Sequence, residues 1–398
     1  MNSRSIGSVL LIIGTTIGAG MLSLPLIVAS CGFTMAIVLL VLSWSVMYTT
    51  ALKLLRVCSK YPLGVNFTTM MSSRVSKGYL VFFSVVYLLL LYSLMSAYTT
   101  QGSSLVEAFS NIEVSGKSDV ALSAIIFTLV FGTLMFNYKI SDYANRFFVA
   151  LKFIFFAIAI AIMLFYINPK YLDRGPLTLS AFIFAWPTLL PSFGFHNIIP
   201  VIYEYQKGDI QVIKKSILIG SLSVLSVYIV WVLLALALIP QQGLHSYQEL
   251  YVSGNNTPAG LSMQIKTLLN SNMLEMGLNS FIHIAIITSF IGVGVSLIHY
   301  VKDIFAGYGK QISKKALCLI CFVPPLIFTV FYPKGFILAL QYAAIFAVII
   351  FVYTPSFLSR KSDLKVHFSN TYVIAMGTIV ILFQIFNLCF DINPFGSF

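Results

Sequence analysis

The sequence predicts an all-α integral membrane protein with eleven transmembrane helices. We expect a 5+5 inverted repeat with broken spans 1 and 6, plus one additional C-terminal span. Hydrophobic residues make up 59% of the 398 positions and charged residues only 9%, which leaves too little polar surface for a water-soluble domain. Apolar stretches of about 20 residues, enough to cross a bilayer, recur along the chain, and glycine- or proline-rich sequences interrupt two of them.

The apolar stretches define the spans to within about three residues. We place the eleven spans at roughly 7–29, 33–56, 78–107, 120–138, 147–167, 178–203, 216–239, 279–301, 316–331, 336–352 and 371–390. A single transmembrane domain therefore occupies residues 1–398. Its first repeat covers about 7–167, its second repeat about 178–352, and the additional span about 371–390.

The Lys and Arg residues indicate how the chain is oriented. Of the 24, nineteen fall on the same face as Arg4 and the N-terminus. The five on the other face are Lys117, Lys170, Arg174, Lys266 and Lys334. Because basic residues stay in cytoplasmic loops, we expect a cytoplasmic N-terminus and an external C-terminus after Asp391. The net charge of +12 is therefore a topology signal, and we expect no nucleic-acid partner.

Two spans are interrupted by residues that break helices. GTTIGAG interrupts span 1 at Gly14–Gly20, and WPTLLPSFGFHNIIP interrupts span 6 at Trp186–Pro200. Irregular backbone survives at membrane depth only where it lines a cavity or is buried in protein, and matching breaks in two halves indicate a transporter's substrate site. Since span 6 follows five complete crossings, it runs opposite to span 1, and the two halves are inverted.

The chemistry of these breaks suits an amino acid. The start of a resumed half-helix offers N–H groups and a positive dipole to a carboxylate, and exposed carbonyls can accept hydrogen bonds from an ammonium group. The expected substrate-binding residues are Gly14, Thr15, Thr16, Gly18, Ala19 and Gly20 in the first break and Ser192, Phe193, Gly194, Phe195, His196 and Asn197 in the second. The alternative for the glycines is close helix packing.

The sequence lacks the residues that a membrane enzyme, a channel or a metal site would need. None of the twelve acidic residues falls in the middle of a span, so we expect no catalytic residues and no enzyme. No repeated filter motif or ring of charges indicates a channel. Cys318 and Cys321 form a CxxC inside an apolar run, without the four ligands of a zinc site. We therefore expect these cysteines to pack, and we expect no metal or cofactor.

Five motifs together resemble one known family. They are GSVLLIIGTTIGAGMLSLPL near the start, NRFFVALKFIFF, TLLPSFGFHNIIPVI, TSFIGVGVSLIHY and PPLIFTVFYPKGFILAL. From about residue 4 to its end, the chain resembles the hydroxy and aromatic amino acid permease family of the amino acid–polyamine–organocation superfamily.

This resemblance implies a multi-pass protein of the bacterial inner membrane with the leucine-transporter type of inverted-repeat fold. It implies import of an aromatic amino acid, with tyrosine favoured, by proton symport through alternating access. Tryptophan, a broad aromatic range or sodium coupling are the alternatives. The partners would be the amino acid, a proton as the coupling ion, and the lipid bilayer.

An aromatic substrate requires apolar rings and a partner for any polar ring group. Burying ~150–250 Å² of ring is worth roughly 4–6 kcal/mol of gross binding. The candidate rings are those of Tyr92, Tyr98, Phe193 and Phe195. The Tyr98 hydroxyl could also donate to the substrate carboxylate. The candidate partners of a tyrosine phenol are Gln101, His196 and Asn197, which the sequence does not rank.

Lys152 is the candidate coupling residue. We place it about five residues, or ~8 Å, inside the cytoplasmic end of span 5. In the fold that the resemblance implies, span 5 approaches spans 1 and 8 where related transporters bind sodium, and an ammonium group could replace that ion. Its expected partners are Thr288 and Ser289 in span 8, with carbonyls near Gly14 and Thr15. The alternative is that the side chain of Lys152 snorkels to the cytoplasmic surface.

Overall fold

The computed structural model describes residues 3–63, 70, 75–110, 116–136, 138–172, 178–307, 309–360, 367–390 and 392–396. Within these ranges the chain forms helices joined by turns and loops, and no strand occurs in them. Five residues that enter the topology assignment lie outside the described residues: Arg74, Arg174, Lys361, Lys365 and Asp391.

The described chain contains sixteen α-helices, which we number in order. They are α1 Ser3–Thr16, α2 Gly20–Val28, α3 Gly32–Cys58, α4 Lys77–Ser110, α5 Lys117–Gly132, α6 Tyr138–Met163, α7 Leu179–Leu189, α8 Ile199–Tyr205, α9 Ile210–Leu236, α10 Tyr247–Val252, α11 Pro258–Leu269, α12 Asn272–Gly307, α13 Lys314–Phe331, α14 Phe336–Ala347, α15 Thr354–Arg360 and α16 His367–Phe390. A π-helix, Val348–Tyr353, connects α14 to α15.

Nine helical stretches in the described ranges are long and apolar enough to cross a membrane. The first of them, Gly20–Cys58, contains both α2 and α3. A 3₁₀ turn at Ala29–Cys31 separates these two helices, and Gly32 follows it with φ 71°. This left-handed conformation favours glycine, which has no Cβ to clash.

The two predicted interruptions are present. The first lies between the end of α1 at Thr16 and the start of α2 at Gly20. The second lies between the end of α7 at Leu189 and the start of α8 at Ile199. Two 3₁₀ turns, Leu190–Phe193 and His196–Ile198, occupy the second interruption.

Several helices extend beyond the spans that hydropathy predicts. The helix α6 begins at Tyr138 rather than near residue 147, and α12 covers Asn272–Gly307 rather than about 279–301. Hydropathy marks only the part of a helix that matches the hydrocarbon thickness, whereas hydrogen bonding along the backbone continues into the polar turns at each end.

The chain divides into two compact units. Unit 1 contains Met1–Tyr87, Arg174–Leu233 and Ala344–Phe398, and unit 2 contains Leu88–Asp173 and Leu234–Ala343. Each unit draws residues from both predicted repeats, so a compact unit is not one repeat. Both interruptions lie in unit 1.

In unit 1, α16 packs through one buried stripe. Its members recur every three or four residues: Asn370, Val373, Gly377, Val380, Gln384 and Asn387. The stripe is polar near both ends. The Lys53 ammonium on α3 donates a hydrogen bond to Asn370, and the Asn387 amide donates to the carbonyl of Ile183 at 2.8 Å. That carbonyl lacks its usual α-helical donor because Pro187, four residues later, has no N–H.

In unit 2, a similar hydrogen bond replaces the one that a proline in α13 cannot make. Pro324 cannot donate to the carbonyl of Ile320. The Tyr92 hydroxyl on α4 donates to this carbonyl at 2.7 Å. A polar side chain from one helix therefore satisfies the backbone of another, as hydrocarbon surroundings require.

Gly102 allows α4 and α5 of unit 2 to approach closely. The Phe127 ring is fully buried, and its centroid lies 4.8 Å from that of Phe290 on α12. A Cβ added to Gly102 would lie 2.3 Å from two carbon atoms of the Phe127 ring. Since the ring is held between neighbours, a side chain at this position would force the helices apart.

We predict that Gly102→Ala destabilises the protein by about 1–3 kcal/mol, the usual cost of overpacking a core. Thermal unfolding of the detergent-solubilised protein measures this effect. Gly292→Ala on α12 is the matched control, because no atom lies within 4 Å of its added Cβ. An equal loss of stability in both variants would contradict the role of Gly102 in packing.

Candidate substrate site

The hydroxyl of Tyr228 joins the two interruptions within unit 1. This oxygen lies 2.8 Å from the carbonyl oxygen of Thr16, at the end of α1, and 2.8 Å from that of Ser192 in the second interruption. Tyr228 on α9 is fully buried, and its ring packs edge-on against that of Phe193, with centroids 5.1 Å apart. One hydroxyl proton therefore serves two backbone carbonyls that the breaks leave without helical partners.

A second aromatic donor supports the first interruption. Pro25 lies inside α2 and has no N–H for the carbonyl of Met21. The Trp231 indole N–H, three residues after Tyr228 on α9, donates to this carbonyl at 3.0 Å. The helix α9 thus holds both the end of α1 and the first turn of α2 by side-chain hydrogen bonds.

The first turn of α2 also pairs part of its own backbone. The N–H of Met21 donates to the carbonyl of Gly18 at 3.1 Å, and that of Leu22 donates to Ala19 at 3.0 Å. The hydroxyl of Thr16 donates to the carbonyl of Ile12 at 2.6 Å. The N–H groups of Met21 and Leu22 are therefore engaged, so a carboxylate in this arrangement would contact the backbone before them.

The space around each glycine shows whether close helix packing explains its presence. A Cβ at Gly14 would meet no atom within 4 Å, and one at Gly20 would meet only the Ser192 hydroxyl, at 3.8 Å. By contrast, a Cβ at Gly220 on α9 would lie 2.9 Å from that of Ile12. Gly220 is therefore a packing glycine, whereas close packing does not account for Gly14 and Gly20.

The second interruption is tightly packed on one side. A Cβ on Gly194 would lie 2.9 Å from the carbonyl oxygen of Pro191 and 3.2 Å from the Phe351 ring. Phe193 and Phe195 are buried to within 1% of their surface, Ser192 is half-buried and Asn197 is exposed. The two candidate rings of this break are therefore buried inside unit 1.

His196 is held on three sides. Its Nε2 atom lies 2.9 Å from the Thr50 hydroxyl on α3. Its ring stacks on that of Phe351, with centroids 5.0 Å apart and planes at 15°, and lies 5.6 Å from that of Phe195. Only 1% of the residue is exposed.

Thr15 is exposed at the end of α1 in unit 1, and the candidate residues outside the two interruptions belong to unit 2. Tyr98 and Gln101 are buried on α4. The hydroxyl of Tyr92 serves the backbone of α13, as described above. Lys152 on α6 is 2% exposed, so its ammonium group does not extend to a surface as the snorkelling alternative requires.

The contacts between α6 and α12 show which residues of α12 lie opposite Lys152. Phe156 lies 5.1 Å from Phe281 between ring centroids, and Ile162 lies beside Gly277, so the two helices run antiparallel. Continuing this register brings Lys152 to the level of residue 285, one turn from Thr288 and Ser289. The Thr288 hydroxyl donates to the carbonyl of Ala285 at 3.0 Å.

Sequence reasoning missed Tyr228 and Trp231. One signal was available, because both residues lie in the middle of an apolar span and carry a polar group that needs a partner when buried. Their spacing of three also puts them on one face of a helix. The identity of their partners depends on carbonyls 210 and 212 positions away along the chain, which local sequence does not reveal.

The long apolar helices and the two interrupted segments define a multi-pass membrane transporter. The fold is similar to that in the crystal structure of an Eremococcus coleocola manganese transporter, with a TM-score of 0.61 at 13% sequence identity. The similarity covers 97% of this chain and 86% of that chain.

The sequence comparison defines the family. The chain belongs to the tryptophan/tyrosine permease family, whose model matches residues 1–393. It is 30% identical to tyrosine-specific transport system 1 of Haemophilus influenzae, over 96% of this chain and 93% of that protein. It is 28% identical to the tryptophan-specific transport protein of the same organism, over 99% and 97% of the two chains. The resemblance inferred from the motifs is thereby confirmed, and the family consists of permeases rather than enzymes.

We predict that Tyr228→Phe weakens substrate binding about tenfold, because two buried carbonyls lose their donor, at about 1–3 kcal/mol for an unsatisfied group. Substrate affinity in binding assays measures the effect. Tyr372→Phe is the matched control, since that hydroxyl contacts Ser45 and neither interruption. Normal affinity in the Tyr228 variant would show that the two breaks do not depend on this hydroxyl.

Proposed function

We propose that this protein imports an aromatic amino acid, with tyrosine the preferred substrate, across the bacterial inner membrane by proton symport and alternating access. The observation that carries the proposal is the Tyr228 hydroxyl, which joins two interrupted helices at the carbonyls of Thr16 and Ser192. The names of the relatives, which are tyrosine- and tryptophan-specific transport proteins, support the substrate class.

The proposed topology has eleven spans in a 5+5 inverted repeat with one additional span. The nine long apolar stretches, the first of which includes α2 and α3, support it together with the segments that contain α1 and α7–α8. In this topology the N-terminus is cytoplasmic and the C-terminus periplasmic.

In the proposed binding mode the breaks hold the α-amino and carboxylate groups of the substrate. Backbone N–H groups that precede Met21, at the N-terminal end of α2, face the carboxylate, aided by the helix dipole, and carbonyls of the second break face the ammonium group. The open space beside Gly14 and Gly20 supports this assignment. The half-buried Ser192, next to Gly20, adds a hydroxyl to the same region.

Lys152 is the proposed coupling residue, with Thr288 and Ser289 as its neighbours. Its burial in unit 2 and its position opposite residue 285 of α12 support this role. A lysine side chain carries one proton as an ammonium group and is neutral after releasing it. Loading and release of that proton would couple transport to the proton gradient.

Uptake into proteoliposomes tests the proposed function. We expect labelled tyrosine to exchange for unlabelled tyrosine and to accumulate when a proton gradient is imposed, with no requirement for sodium. Exchange separates a carrier from a channel or an enzyme. Competition by tryptophan and phenylalanine ranks the substrates. Failure to exchange any aromatic amino acid would contradict the proposal, and accumulation driven by sodium would contradict the coupling ion.

Reporter fusions test the orientation. We expect a reporter after Phe398 to be periplasmic and one inserted between Cys58 and Lys77 to be cytoplasmic, because basic residues concentrate on the inner face. Protease protection or reporter activity in cells measures the location. Two reporters on the same side would contradict the eleven-span topology.

We predict that Lys152→Gln abolishes uphill, uncoupler-sensitive accumulation but retains exchange of bound substrate. One proton crossing with a zwitterion moves one charge, worth ~2.3 kcal/mol per 100 mV, or roughly fiftyfold accumulation. Accumulation and exchange are measured in parallel. Lys170→Gln makes the same change of charge at an exposed residue and serves as the control. Full proton-driven accumulation in the Lys152 variant would exclude this lysine.

A further inference from the structure

One ring nitrogen of His196 is paired and the other is not. Nε2 contacts the Thr50 hydroxyl at 2.9 Å, whereas Nδ1 is buried and has no hydrogen-bond partner. An unsatisfied polar atom in the interior costs about 1–3 kcal/mol, and native structures rarely keep one without a reason. This one lies in the second interruption, where we propose that substrate binds.

The hydrogen bonds of Thr50 provide the basis for assigning the hydrogen to one nitrogen of His196. Its hydroxyl oxygen lies 3.0 Å from the carbonyl oxygen of Val46 and 3.1 Å from that of Met47. Carbonyls only accept, and two of them lie within bonding distance of this hydroxyl, so we assign its proton to the backbone of α3. The Thr50 oxygen then accepts the hydrogen of His196 Nε2. In the neutral ring Nδ1 is consequently a bare acceptor.

The orientation of this acceptor is fixed by packing. The imidazole stacks on Phe351 and contacts the Phe195 ring, and Phe351 itself belongs to the π-helix Val348–Tyr353. Insertions of π-helix in a longer helix occur frequently at functional sites. A half-turn of the imidazole would break the bond to Thr50, and a smaller rotation would also break the stacking.

The three aromatic amino acids differ in the donor on their rings. Tyrosine carries a phenol O–H and tryptophan an indole N–H, whereas phenylalanine has neither. We propose that His196 Nδ1 accepts the hydrogen bond of this ring donor and thereby excludes phenylalanine, an assignment that rests on the proposed function. Phenylalanine would leave the nitrogen unpaired, and sites built for a polar ring group reject such analogues strongly.

The structure favours His196 over the two other candidate partners. Asn197, the next residue, is exposed. The unpartnered atom of Gln101 is Nε2, a donor, which does not accept the hydrogen of a ring O–H or N–H group. Of the three candidate side chains, only His196 has a buried acceptor atom without a partner.

The test compares inhibition of labelled tyrosine exchange by unlabelled tyrosine, tryptophan and phenylalanine. We expect the wild-type protein to prefer tyrosine over phenylalanine by roughly tenfold to hundredfold. In His196→Phe, which keeps a ring on Phe351, this ratio should fall toward one while phenylalanine inhibits as well as before or better.

Thr50 provides a second variant that leaves the imidazole in place. Thr50→Val removes the acceptor that fixes the tautomer, so the tyrosine-to-phenylalanine ratio should fall severalfold. Thr50→Ser keeps the hydroxyl and should restore the ratio. If His196→Phe fails to fold, as judged by thermal unfolding, the Thr50 pair decides the outcome by itself.

Two results would overturn the assignment. The first is a wild-type protein that binds tyrosine and phenylalanine equally. The second is an unchanged ratio in folded His196→Phe or, where that variant does not fold, in Thr50→Val. A wild-type protein that exchanges no aromatic amino acid would instead contradict the proposed function.

Discussion

Every backbone carbonyl and N–H inside the membrane needs a partner from the protein, because hydrocarbon offers none. Pro25, Pro187 and Pro324 each remove one N–H from a helix and so leave a carbonyl unpaired. In all three cases a side chain from another helix donates to that carbonyl. The pairs are Met21 with Trp231, Ile183 with Asn387 and Ile320 with Tyr92. The helices can therefore contain these three prolines without leaving those carbonyls unpaired, and these bonds fix which helices lie side by side.

The two interruptions do not satisfy this requirement fully. The Tyr228 hydroxyl has one proton for two carbonyls, those of Thr16 and Ser192, and Nδ1 of His196 has no partner. Because one proton is shared, a movement of either half-helix changes the hydrogen bond of the other. Departures from full satisfaction are expected at functional sites, and these two lie in the segments that we propose to bind substrate.

The sequence was sufficient to predict the helical class and the positions of both interruptions, because glycine and proline act on the backbone where they occur. It misjudged helix ends such as Tyr138, since hydropathy does not register polar turns. Among the glycines, sequence alone could not separate Gly102, which faces the Phe127 ring, from Gly14, which has open space beside it. That difference depends on neighbours from other helices. The same limit applies to Tyr228, whose partners are distant in sequence.

The proposed site divides recognition between backbone and side chain. Helix ends at the breaks can bind the ammonium and carboxylate groups that all amino acids share, so they provide affinity without distinguishing one ring from another. His196 would distinguish the rings because its unpaired nitrogen is already buried before substrate arrives. A donor-bearing ring removes the penalty of that unpaired atom on binding, whereas phenylalanine leaves it in place. Specificity would then come from an unfavourable feature of the free protein, which requires that Thr50 and Phe351 hold the ring rigidly enough to prevent any other partner from relieving it.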